Sequence, residues 1–505
     1  MLGSSLLFVT VLCAQPKPMQ LKHKSFRHYV DYFNAMEDEN IVQAIPNQQA
    51  WSWMQQNIPL FECPQQNFEE IFYYRWWTLR KHIKKTDQGF VFTEFLVPRS
   101  YADKYNLISS GLGHHIYEAR WLHNPVWLND NLRIWYQGNN GKPLQKLRFY
   151  SSWNMDAIYN RFLVNNDSSF IHRFYPLLHA DYLAWEAERR RPDGLFWQYD
   201  VRDAMEETIS GGRTEKNPRP SINSYMYGNA KAMAAMASLM PDAGQAMSYS
   251  QKADSIKMLV QTKLWNSNHA FFEVLKEKGD TLSQAMEAIG FIPWYFNLPD
   301  TSFIAAWKHV NDASKFCAPF GITTADRSHP AFRSHGCCKC EWDGAVWPFA
   351  TAQTLTAMAN LLNNQQQGYI SASDYFNHLN TYVESQYYRG RPYIGEYLDE
   401  KTGYWLKGDE ERSRYYNHST FNDLMITGLI GLRPRPDDTI TVKPLLPAGK
   451  WKWFCLDNVW YHGKSITIIW DETGGRYKRG KGLMVFVNGR KVAQCAKLQA
   501  VNGKL

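Results

Sequence analysis

Apolar residues along this chain recur mainly at intervals of three and four, the spacing that gathers them on one face of a helix. Stretches with this pattern cover 68–82, 115–122, 127–136, 153–163, 170–188, 223–240, 243–264, 302–310, 344–362, 371–385 and 418–429. Turn signals separate them, among them Pro192-Asp193-Gly194, Pro218 to Pro220, Pro299-Asp300 and Gly390 to Pro392. Short strand-like runs lie between, such as FVFTEFLV over 90–97 and LFWQY over 195–199. Roughly a dozen helices with no internal repeat argue against a solenoid, which would show a recurring motif. Helix pairs packed into a closed ring fit better, with long loops gathered on one rim, where chemistry is usually placed. The pattern changes after Arg433-Pro434-Arg435-Pro436. Beyond it, TITVKPL, SITIIWD and GLMVFVNGRKVA alternate like strands, and Asn488-Gly489 carries a two-residue hairpin signal. The expected organisation is mainly α: a helical ring over 15–435, braced by a small antiparallel β-domain over 436–505.

Composition narrows the function. The 505 residues carry a net charge of +8, thinly spread. The densest basic run, Arg189–Arg191, reads as a helix end, where cations suit the dipole. A nucleic-acid surface would need clustered Lys and Arg, so none is expected. The first fourteen residues, MLGSSLLFVTVLCA, resemble a secretory signal cleaved after Ala14. The run Leu6–Leu12 is too short to span a bilayer. A secreted or periplasmic location follows, with a lipid anchor on Cys13 as the weaker alternative. Cys337, Cys338 and Cys340 cluster beside His335 in SHGCCKC, but no second cluster supplies the remaining ligands of a zinc site. Adjacent His114 and His115 point apart on a helix and read as structural. No metal and no cofactor are therefore expected.

The aromatic content points to sugars. There are 20 Trp, 29 Tyr and 27 Phe, many beside polar groups, as in FYYRWWTLR, CEWDGAVW and SRYYNHSTF. A flat ring stacks on the C–H face of a pyranose while neighbouring polar groups bond its hydroxyls. The expected partner is an oligosaccharide or glycan, and no protein partner is implied. Breaking a glycosidic bond needs two carboxyl groups flanking it, one of them with a raised pKa. LFWQYDVRDAMEETISGG places Asp200, Asp203, Glu206 and Glu207 within eight residues, behind the aromatic Tyr199. Crowding of this kind raises one pKa. IGEYLDEKTGYW places Glu396 ahead of a second aromatic loop.

Four stretches together resemble the (α/α)6-barrel glycosidases around glycoside hydrolase family 63 and its mannosylglycerate-hydrolase-like relatives. They resemble the trehalase and α-L-rhamnosidase barrels more loosely. SSWNMDAIYNRFL is similar to an early substrate-pocket motif and implies contacts from Trp153 and Asp156. RDAMEETISG resembles the loop that carries the family's acid, usually an aspartate; Glu206 falls at that place here, with Asp203 as its competitor. EWDGAVWPFATAQTLTAMANLL resembles an aromatic helix start and implies sugar contacts from Trp342, Asp343 and Trp347. IGEYLDEKTGYW resembles the motif whose glutamate is the base, which falls on Glu396. The resemblance covers about 145–435 and implies an (α/α)6 barrel and an exo-acting, inverting glycosidase. The polar stretch TTADRSHPAFRSHG adds Arg333 as a candidate for binding an acidic group or orienting a carboxylate. Two other classes stay open at this point: a sugar-binding barrel without catalysis, and a polysaccharide lyase, which would need a Tyr/His/Arg cluster in its groove.

Overall fold

The computed structural model of the chain describes residues 20–240, 244–336 and 340–505. The expected leader, Cys13, Cys337 and Cys338 lie outside the described residues.

The periodic stretches fold into helices α1 (Arg27–Ala35), α2 (Asn47–Asn57), α3 (Gln66–Lys81), α4 (Leu112–Ala119), α5 (Val126–Gln137) and α6 (Asn154–Asn165). These continue as α7 (Ser168–Arg189), α8 (Pro220–Ala237), α9 (Gly244–Lys263), α10 (Ile292–Tyr295), α11 (Pro348–Asn364) and α12 (Ala372–Ser385). Two of the most buried helices, α8 and α11, begin with a proline, whose fixed φ suits the first helical turn and whose missing N–H has no intrahelical partner to lose. Helix α12 opens on a capping box between Ser371 and Asp374.

The inner ring is built from the helices that are apolar nearly all round. Helices α4, α6, α8, α10 and α11 pack in succession, and a π-helical turn over Leu424–Leu429 packs on α11. Glu118 on α4 closes the circle. Its carboxylate accepts the backbone N–H groups of Phe421, Asn422 and Asp423, and Arg120 pairs with Asp423 at 2.7 Å. Glu118 thus caps this last turn from another helix. His418, Ser419 and Thr420, read from the sequence as helix, instead have no regular structure ahead of that cap. Gly113 is required where α4 meets α6, because an added Cβ would collide with the Trp153 indole. The outer layer packs behind: α5 on α4, α7 and α9 on α8, and α12 on α11 and α3. Helices α1 and α2 cover α3, so its FYYRWW run is buried. The chain is an (α/α)6 barrel with a small β-domain, as its pattern predicts.

Three details differ from the periodicity. The stretch 302–310 forms a 3-10 helix over Thr301–His309. The strand expected over 90–97 pairs only over Gly89–Phe92. The third difference joins the two ends of the chain. A five-stranded antiparallel sheet orders Leu60–Glu62, Trp453–Tyr461, Lys464–Asp471, Gly482–Val487 and Arg490–Cys495. Its first strand comes from the N-terminal part, ahead of the barrel. Asn488 and Gly489 turn the last hairpin with φ of 49° and 76°, as a type I′ turn demands. A three-stranded sheet of Leu432–Arg433, Thr439–Val442 and Val501–Lys504 adjoins it. Among the described residues no helix is long and apolar enough to cross a membrane.

Candidate active site

The loops on one rim enclose a cavity of about 400 Å³. Three carboxylates line it: Glu94, Glu206 and Glu396. The rest of the wall is largely aromatic, with Tyr150, Trp347, Phe349 and Tyr416, and it includes two guanidinium groups, Arg202 and Arg412.

Glu206 reaches the cavity from a turn held in an uncommon conformation. Ala204 and Glu207 both adopt left-handed backbone, φ 59° and 64°, on either side of a fully buried Met205. Such positions persist only where the surroundings fix them, and they concentrate at functional sites. Here the turn is fixed at both ends. Ser151 N–H donates to the Arg202 carbonyl at 2.9 Å, and Glu287 accepts the N–H groups of Ile209 and Ser210. Burial pushes the Glu206 carboxyl up to about 7, and the charge of Glu396 adds to the shift.

Glu396 sits in the opposite environment. It is buried, and its Oε2 lies 3.3 Å from Lys407 Nζ and 3.4 Å from Arg412 Nη2. Ser413 Oγ donates to the same oxygen at 3.3 Å. Two cations and a hydroxyl thus converge on one carboxylate oxygen. The segment is tied to its neighbours by Tyr416 N–H donating to the Ile394 carbonyl and by paired bonds between Val346 and Leu398.

Glu94 is the carboxylate that sequence reasoning missed. It follows the strand Gly89–Phe92, inside a run that reads as plain buried structure. Tyr416 Oη donates to its Oε1 at 2.6 Å and Ser110 Oγ to its Oε2 at 2.7 Å. Burial pushes it up to about 7 against these bonds, and Glu396 and Glu206 push the same way. An acid followed by an aromatic inside an otherwise apolar run was the only available signal.

The other expected site residues are distributed by packing. Trp347 lines the cavity and stacks between Trp342 and Tyr397, with centroids 4.5 and 4.6 Å away. Trp342 therefore backs the wall instead of forming it. Trp153 is fully buried among Gly113, His114, Tyr225 and Phe349 in the floor. Asp156 accepts a hydrogen bond from Tyr117 at 2.6 Å and joins α6 to α4. Asp343 accepts the His335 N–H at 3.0 Å and lies against its Nδ1 at 2.8 Å. Tyr199 packs on Trp197, outside the cavity lining. Arg333 is taken up by carboxylates, 2.6 Å from both Glu341 and Glu400, so it orients acids and does not face the cavity. Asp203 is corrected in the same way. It pairs at 2.9 Å with Arg219, both side chains fully buried, and accepts from Ser221. That pairing turns it away from the cavity and makes it a strut under the Glu206 turn. Cys340 lines the cavity. Among the described residues no group of three His, Cys, Asp or Glu side chains is arranged to hold a metal.

Solved structures share this architecture. A protein named sialidase superposes with a TM-score of 0.94 at 59% identity, over 96% of this chain and 45% of that one. This chain therefore spans less than half of that relative. The GH63 mannosylglycerate hydrolase of Thermus thermophilus, in complex with glucose, matches with a TM-score of 0.52 at 11% identity, over 70% of this chain and 98% of that one. The GH78 rhamnosidase of Bacillus sp. GL1 matches with a TM-score of 0.58 at 11% identity, over 83% of this chain and 40% of that one. These last two show the fold alone. The C-terminal domain model of glycosyl hydrolase family 65 matches residues 432–494. The mannosylglycerate hydrolase MGH1-like glycoside hydrolase domain matches residues 104–419, well over half of the chain, and the protein belongs to that family.

Proposed function

We propose that the chain is an exo-acting glycoside hydrolase that removes a terminal sugar with inversion, with Glu206 as general acid and Glu396 as general base. One observation carries the assignment: two carboxylates of one cavity stand in opposite electrostatic surroundings. Glu206, desolvated and near a negative charge, keeps its proton to about pH 7. Glu396 lies between two cations, 3.3 Å from Lys407 and 3.4 Å from Arg412. In an inverting cycle the neutral acid protonates the departing glycosidic oxygen while the anion takes a proton from water on the far face of the ring. The two carboxyls are then expected ~6.5–9.5 Å apart, with a separation near ~5 Å marking retention instead.

Glu94 carries a similar raised pKa but a different load. Both its oxygens already accept hydrogen bonds, whereas Glu206 accepts none from another side chain among the described residues. Glu206 is thus the carboxyl free to meet a leaving group, and Glu94 is placed to accept a sugar hydroxyl. A cavity of about 400 Å³ sits toward the lower end of ligand pockets, which supports recognition of a chain end rather than a threaded polymer. Trp347, stacked between Trp342 and Tyr397, presents its edge to the cavity, and Arg202, which pairs with no carboxylate among the described residues, supplies a donor.

The name sialidase belongs to a relative twice as long, so it assigns no sugar to this chain. A panel of α-glucosides, α-mannosides, α-L-rhamnosides, arabinofuranosides and sialosides, read by proton NMR during the first turnovers, identifies both the substrate and the anomer released. Initial release of the opposite anomer is expected; the same anomer contradicts inversion. A second reading, elimination by a lyase, draws on Tyr416, His418 and Arg412 in the same cavity. Burial pushes the Tyr416 phenol well above its ordinary value, which makes it a poor base. Products absorbing in the ultraviolet would favour that reading over hydrolysis.

A further inference from the structure

A second cavity, of about 320 Å³, lies on the other side of the wall that carries Glu396. The same two chain segments serve both. Glu396, Arg412 and Tyr416 line the candidate active site; Tyr393, Arg414 and Tyr415 line the second cavity. Helix α3 contributes Tyr74, and the hairpin turn at Arg389-Gly390 forms a lip.

Two features of this cavity lack an internal explanation. Tyr74 is fully buried, lines the cavity, and its hydroxyl has no hydrogen-bond partner among the described residues. An unpaired buried hydroxyl costs free energy that a donor or acceptor from a ligand would recover. The second feature is charge. Three guanidinium groups face two carboxylates. Arg414 pairs with Glu37 at 2.9 Å and Arg389 with Asp409 at 3.0 Å. Arg391 remains, exposed; among the described residues it pairs with no carboxylate, and its Nη1 donates to the Met36 carbonyl at 2.6 Å. The cavity therefore offers tyrosine rings, a buried hydroxyl and one unneutralised guanidinium.

We propose that this cavity is a second saccharide-binding site, separate from the catalytic one, and that it takes a sugar bearing a carboxylate. The carboxylate meets Arg391, which can present two parallel N–H donors to it. A ring hydroxyl meets Tyr74, and Tyr393 and Tyr415 supply ring faces for the C–H surface of the sugar. A glycan end held there lies one chain segment away from Glu396, so the site anchors an acidic branch of a substrate while another end enters the catalytic cavity.

The test uses the full chain carrying Glu396→Gln, which removes turnover without altering the lining of the second cavity. Binding of galacturonic acid is measured by calorimetry and by saturation-transfer NMR, with galactose as the neutral comparison. Galacturonate is expected to bind more tightly than galactose. Adding Arg391→Ala or Tyr74→Phe is expected to weaken it about tenfold, the effect of losing one hydrogen bond of this kind. The Tyr74→Phe chain should unfold at an equal or higher temperature, because its hydroxyl has no partner to lose and its desolvation cost is removed. Undiminished affinity in both variants, equal affinity for the two sugars, or no binding of galacturonate overturns the proposal. A wild-type chain that hydrolyses no glycoside yet binds galacturonate through Arg391 would remove the hydrolase reading and leave this one standing.

Discussion

The turn that carries Glu206 and the segment that carries Glu396 place the same residue type in one cavity by opposite means. The first desolvates its carboxyl and leaves the cation that acts on it, Arg213, engaged with Glu207 at 2.7 Å. The second surrounds its carboxyl with Lys407 and Arg412. Solvation and charge, not residue identity, divide the two roles. The supporting residues matter as much as the glutamates. Asp203 neutralises the buried Arg219 beneath the Glu206 turn, and Lys407 holds the base at the price of burying a cation.

Breaking either half should cost turnover. Glu396→Gln is expected to lower kcat by about 10³-fold or more while sugar binding persists, checked by steady-state kinetics beside calorimetry. Glu206→Gln should cost about 10²- to 10³-fold on unactivated glycosides and much less on a nitrophenyl glycoside, whose leaving group needs no proton. Equal losses on both substrates would remove Glu206 from the acid role. Asp203→Asn strands Arg219 as a buried, uncompensated cation, and chemical denaturation should show a loss of about 3–5 kcal/mol. Lys407→Met removes the cation 3.3 Å from Glu396 and is expected to lower kcat/KM by about tenfold, read by steady-state kinetics. The smallest expected effect is on stability. Glu206 and Glu94 keep their protons to about 7 in the fold, against an ordinary value of 4.5. Between these values the folded chain binds more protons than the unfolded one. Their contribution is complete below about pH 4.5 and is lost as pH rises through 7; Glu94→Gln should flatten that slope in unfolding measured across this range.

The sequence showed the helical ring because apolar spacing survives translation into packing: α3, α7 and α12 lie close to where periodicity puts them. It showed the C-terminal hairpin because Asn488-Gly489 encodes its own turn. Long-range pairings were not legible. Nothing local marks Leu60–Glu62 as the edge of a sheet formed by the other end of the chain, and Glu118 caps a turn some three hundred residues away. The candidate site was legible in part for the same reason. Glu206 and Glu396 stood out by their aromatic loops. The choice between Asp203 and Glu206 depends on Arg219 and on left-handed backbone at Ala204 and Glu207, neither of which spacing reveals. Glu94 lay inside an apolar run, and its role depends on Ser110 and Tyr416, distant in sequence.

The most direct test of the acid assignment is the pH dependence of kcat/KM on an unactivated glycoside, whose departure needs the proton, for the wild-type chain and for Glu206→Gln. A basic limb near pH 7 is expected in the wild type and should disappear in the variant, since the proton lost there belongs to Glu206. A basic limb that persists unchanged in Glu206→Gln and vanishes in Glu94→Gln would contradict this and assign the proton donor to Glu94.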